Sequence, residues 1–133
     1  MGSIARGSFE LQRREQEALH DGEGAKLGRI SFDKQFQGDL LGSSVVYMLS
    51  ALTSVKGSAG YVAIERVTGS LAGLKGSFVF QHSGTMTRGA STLQLTVVPD
   101  SADGELKGLS GSLAIDIVEG KHYYVFDYTF ETE

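Results

Sequence analysis

Apolar and polar residues alternate at a spacing of two along much of this chain, and no stretch carries a convincing helical period. That pattern points to sheet, because successive side chains in a strand face opposite ways whereas a helix repeats about every 3.6 residues. Ile30, Phe32, Lys34 and Phe36 alternate with Arg29, Ser31, Asp33 and Gln35, and Leu93, Leu95 and Val97 alternate with Thr92, Gln94 and Thr96. Eighteen glycines and a single proline supply tight turns between such runs. The runs predict strands over Ile4–Arg13, Gly28–Gln37, Ser43–Thr53, Tyr61–Leu71, Leu74–Met86, Ala90–Val98, Glu105–Val118 and Lys121–Glu131. Polar Arg14–Lys26 reads as a loop, with a turn of helix over Glu15–Leu19, and Pro99–Gly104 as a break. Eight strands joined in succession by short turns fit an all-β fold, an eight-stranded antiparallel up-and-down barrel that closes to remove its edges. The whole chain, 1–133, is expected to form one such domain.

The stretch Tyr61–Thr85 carries the most chemistry. Leu71 and Leu74 flank Ala72-Gly73, a two-residue loop of the kind that joins twisted antiparallel strands. Counting outward, Val67 opposes Phe78, Glu65 opposes Phe80, Ala63 opposes His82 and Tyr61 opposes Gly84. Glu65 and His82 then share a face as diagonal neighbours, roughly 5.5–8 Å apart at the backbone. A slip of one residue would put Arg66 there instead.

The pattern G-x-L-x-G-L-x-G-S occurs twice, at Gly69–Ser77 and Gly104–Ser112, and predicts a hairpin corner used twice. It lacks the spacing of a phosphate-binding loop and no helix follows it. Ser43–Thr53 is apolar almost throughout, which predicts cover on both faces, or a lined cavity on one and a partner surface on the other.

Composition bounds the function classes. A net charge of −4 with scattered Lys and Arg gives no footprint for nucleic acid or an anionic membrane. No apolar run approaches a membrane span and the start carries no secretory leader pattern, so the expected location is cytoplasmic. Cysteine is absent, which removes disulfides and thiolate ligands. None of the three histidines is at His-x-His spacing, leaving His82, His122 and Glu65 as the one set for zinc or iron. No metal and no cofactor is expected.

Tyr61-Val-Ala-Ile-Glu-Arg-Val-Thr-Gly69, Gly76-Ser-Phe-Val-Phe-Gln-His82, Val97-Val-Pro-Asp-Ser101, Gly108-Leu-Ser-Gly111 and His122-x-Tyr124 together resemble the bacterial domain-of-unknown-function family numbered 3224. Phe36-Gln-Gly-Asp-Leu-Leu-Gly42 extends that resemblance over nearly the whole chain. The resemblance implies a barrel similar to that of allene oxide cyclase and no settled activity, since fold does not dictate function.

If Phe78, Phe80 and His82 and the facing positions His122, Tyr124 and Tyr128 all point inward, the barrel encloses an aromatic cavity, to which Tyr47 and Tyr61 also contribute. Glu65 and His82 are the candidate catalytic pair; Tyr47, Tyr61, Phe78, Phe80, His122, Tyr124 and Tyr128 are the candidate ligand-binding residues. Burial would raise the Glu65 pKa toward general acid–base use, whereas pairing with His82 would keep it ionised and orient the imidazole. Lys34 is expected to snorkel at the rim, and Arg66 to face out. Three readings follow: a binder of a small apolar or aromatic molecule; a cyclase or isomerase in the same cavity, as the resemblance implies; or a filled barrel whose outer surface self-associates into a homo-oligomer.

Overall fold

The computed structural model describes residues 2–131. Eight strands follow one another: β1 (Ser3–His20), β2 (Lys26–Gly38), β3 (Leu40–Leu52), β4 (Ala59–Leu71), β5 (Leu74–Thr87), β6 (Ala90–Val97), β7 (Leu109–Val118) and β8 (Lys121–Phe130). Each pairs antiparallel with its predecessor, and β1 pairs with β8 to close the barrel. No helix among the described residues is long and apolar enough to cross a membrane.

Turn chemistry fixes the register. Ala72-Gly73, Arg88-Gly89 and Glu119-Gly120 all take positive φ at both positions, the conformation whose twist matches the flanking strands. The first of them sets Leu71 opposite Leu74 and, counting outward, Glu65 opposite Phe80 and Ala63 opposite His82, so Glu65 and not Arg66 points inward.

Two expectations change. β1 runs through to His20, so the predicted loop over Arg14–Lys26 shrinks to residues 21–25 and Glu15–Leu19 is strand, not helix. Both faces of this segment meet solvent, so it needs no apolar alternation; the β2 ladder holds it, with register shifts between Arg13 and Glu15 and between Ala18 and His20. The second copy of the G-x-L repeat is not a hairpin corner. Gly104–Leu106 forms a short 3-10 turn, and Asp103 accepts hydrogen bonds from the Ser77 amide and hydroxyl. What the two copies share is a plug, since Leu71 and Leu106 are both fully buried.

The two ends of the barrel differ. At the closed end Leu40, Leu71, Phe78, Leu106 and Phe126 fill the lumen, and the Tyr124 hydroxyl accepts from the Leu40 amide at 2.8 Å while facing the Gln37 and Leu40 carbonyls. At the open end two seams loosen. β1 from Glu10 to His20 pairs with β2 alone, and β6 meets β7 only at Thr96 and Ser112. Leu11, Met86, Leu93 and Ile117 continue the inward parity of their strands there, yet all are exposed.

Candidate functional site

Four consecutive strands each contribute one inward side chain to a buried polar cluster. Lys34 on β2 lies opposite Ser44 on β3; Glu65 on β4 lies opposite Val46, one step along; His82 on β5 lies opposite Ala63. Glu65 is fully buried, Lys34 4% exposed and His82 5% exposed. Strand pairing thus brings together residues scattered over nearly fifty positions of sequence.

Glu65 is the hub. Its Oε1 accepts from His82 Nε2 at 2.7 Å and from Lys34 Nζ at 3.1 Å. Its Oε2 accepts from the Ser44 hydroxyl at 2.6 Å and also lies 3.1 Å from Lys34 Nζ. The amine sits over the rings of Phe9 and Phe36, 4.4 and 5.2 Å from their centroids, a placement suited to a cation. An ionised carboxylate only accepts, so His82 Nε2 carries a proton, and in the neutral ring Nδ1 is left as acceptor for the Tyr61 hydroxyl, 3.4 Å away. The Lys34 amine offsets the Glu65 carboxylate inside the barrel, and no buried side-chain nitrogen or oxygen among the described residues lacks a partner.

Burial alone would push the Glu65 carboxyl up, but the His82 hydrogen bond, the Lys34 charge and the Ser44 hydroxyl together hold it below its ordinary value. Burial brings the Lys34 amine below its ordinary value, opposed by Glu65. Tyr61 is raised, first by burial and then by the Glu65 charge. With both oxygens occupied, Glu65 is a fixed anion that orients His82, rather than a free base with a raised pKa.

The expected ligand-binding residues divide. Phe78, Phe80, Tyr124 and Tyr128 do point inward, but they belong to the packed core instead of lining a void: Phe78, Phe80 and Tyr128 pack around Phe126, and Tyr124 packs on Phe36. Phe78 and Phe80 stand edge to face at 4.9 Å, and Phe80 and Phe126 at 5.4 Å. Tyr47 falls on the outer wall, 58% exposed, because it has the opposite parity to Val46. His122 does not join the cluster; it is partly buried and stacked on Phe9 at 5.0 Å. Tyr61 remains at the site, half-buried, its ring laid across Gly84, where a Cβ would come within 2.5 Å of Cε1. Lys34 is a member of the cluster rather than a rim residue, since a carboxylate two strands away and two ring faces receive it. Ser44 was not expected at all; its inward parity and position opposite Lys34 were the available signal.

Immediately past this cluster, Met48, Leu52, Ala59, Tyr61, Gly84 and Met86 line an apolar recess of about 260 Å³ at the rim.

Fold and site together define a class: an eight-stranded antiparallel meander barrel, filled at one end, with a sealed ionic cluster beneath an apolar mouth. The chain belongs to the DUF3224 family, described as "Protein of unknown function (DUF3224)", whose model matches residues 5–128. It is 48% identical to a protein with unknown function from the DUF3224 family of Shewanella oneidensis MR-1, whose crystal structure superimposes with a TM-score of 0.93. That match covers 99% of this chain and 100% of the Shewanella chain. No curated protein matches the chain.

Proposed function

We propose that this barrel binds a small apolar or aromatic molecule at its open end, above the Lys34, Glu65 and His82 cluster. The observation that carries this reading is the apolar recess of about 260 Å³ bounded by Met48, Leu52, Ala59, Tyr61 and Met86, set on an inner wall that stays open to solvent. Apolar surface left in contact with water gains about 25 cal/mol per Å² when covered, and methionines adapt to varied shapes. The volume lies near the lower bound of ordinary ligand pockets, about 300 Å³, which suits a ligand of one or two rings. The ionic cluster below serves as a rigid, polar floor: it fixes the Tyr61 ring through His82 and holds the facing strands in register.

Native mass spectrometry of the protein purified gently from its host, together with titration by the neutral dye phenylnaphthylamine, tests the proposal. The expected result is a retained apolar molecule or saturable dye binding that Ala59→Trp, which fills the recess, removes. Absence of both, or dye binding unchanged in Ala59→Trp, rejects it.

A further inference from the structure

A larger concavity lies on the other side of the same wall. A groove of about 520 Å³ runs over the outer face of β2, and its size falls well within the range of ligand pockets, about 300–1,000 Å³. We propose that this groove is a second site, and that it takes a neutral, hydroxyl-rich ligand of the saccharide class.

The strand register builds the groove from two cross-strand rows. Gln12 on β1 lies opposite Asp33 on β2, which lies opposite Val45 on β3, which lies opposite Arg66 on β4. One step along, Glu10 lies opposite Gln35 in the same manner. Each of these five polar groups is planar and offers two polar atoms side by side, a spacing that matches a pair of neighbouring hydroxyls. The floor offers both donors and acceptors, as a hydroxyl requires, because it gives and receives at once. At the edge stands Tyr47, 58% exposed, whose ring offers a flat apolar face. A sugar ring presents apolar C–H groups on its faces and hydroxyls around its rim, so an aromatic platform beside planar polar groups complements both surfaces.

Charge narrows the ligand class further. Glu10 and Asp33 are balanced by Arg66 and by Arg14, whose Nε lies 3.5 Å from Asp33. Two carboxylates and one guanidinium line the groove, and Arg14 beside it offsets Asp33, so the site offers no surplus of positive charge to hold phosphate. The polar groups that carry this site, Glu10, Gln12, Asp33, Gln35 and Arg66, have outward parity, whereas Met48, Tyr61 and Met86 of the recess have inward parity and none of them lines the groove.

Amide chemical shifts of the labelled full chain, titrated with maltotriose, cellotriose and chitotriose up to about 20 mM, test the proposal at the weak affinities expected of a single stacking platform. The expected result is that at least one sugar shifts the amides of Gln12, Asp33, Gln35, Tyr47 and Arg66 and leaves those around Met86 unmoved. Tyr47→Ala, at an exposed position that the core does not need, should weaken that binding by about tenfold or more while Tyr47→Phe keeps it. Silence with all three sugars, shifts confined to other surfaces, wild-type affinity in Tyr47→Ala, or a response to inorganic phosphate in place of sugar would each overturn it.

Discussion

The closed and open ends of the barrel are built from the same strands, yet they stabilise the molecule by different means. At the closed end aromatic rings interlock across the lumen and one tyrosine hydroxyl ties β8 to the β2–β3 turn. Midway along, polar groups replace rings, and the lumen is sealed by an ion pair and its hydrogen bonds. Beyond that the inner wall is apolar but uncovered. Where the strands close on all sides a core forms; where two seams loosen, side chains of the same chemical type become a surface for binding.

The largest expected effect tests the middle of that gradient. Glu65→Ala leaves Lys34, His82 and Ser44 buried without their acceptor and should cost about 3–5 kcal/mol in urea unfolding. That is on the scale of about 3–5 kcal/mol for Phe126→Ala in the filled end. A loss below about 1 kcal/mol would mean that water reaches the cluster and the floor is not sealed. Replacing Lys34, Glu65 and His82 together by Met, Leu and Leu should recover most of the loss, to within about 1–2 kcal/mol of the native chain, because no charge is then stranded. A triple variant as unstable as Glu65→Ala would refute that account.

Acid removes part of the same contribution. Because the folded Glu65 pKa lies below its ordinary 4.5, its stabilisation is present above that pH and is lost as pH falls through the folded value. Urea midpoints measured down the acid range should therefore converge between native protein and Glu65→Gln. Parallel curves would show that some other carboxylate governs acid unfolding.

Smaller still, Tyr124→Phe should cost about 1–3 kcal/mol, since it strands the Leu40 amide in a buried turn. Ile117→Ser at the mouth should change stability by no more than about 0.5 kcal/mol, in keeping with its 61% exposure. If Ile117→Ser cost as much as Tyr124→Phe, the contrast between the two ends would collapse.

The β4–β5 hairpin was readable from sequence because a two-residue loop with a glycine determines a register, and the register determines which side chains share a face. Glu65 with His82 followed from it. Lys34 and Ser44 did not, because their place beside Glu65 rests on two further registers, β2 with β3 and β3 with β4, and the loop 53–58 does not determine a register as a two-residue turn does. The aromatic parity of β5 and β8 was likewise readable, but whether inward rings line a void or fill it depends on barrel diameter and ring packing. The length of β1 was hidden for a simpler reason: a strand wet on both faces has no hydrophobic period.

That long strand has a consequence for solubility. From Glu10 to His20 its outer edge carries backbone groups without a partner strand among the described residues, a ready template on which another chain could extend the sheet. Arg13, Arg14, Glu15 and Glu17 occupy this edge, and the two register shifts distort it. Charge and irregularity both discourage indefinite strand addition. An open-ended barrel can thus keep its mouth accessible in a crowded solution without becoming the first subunit of a fibre.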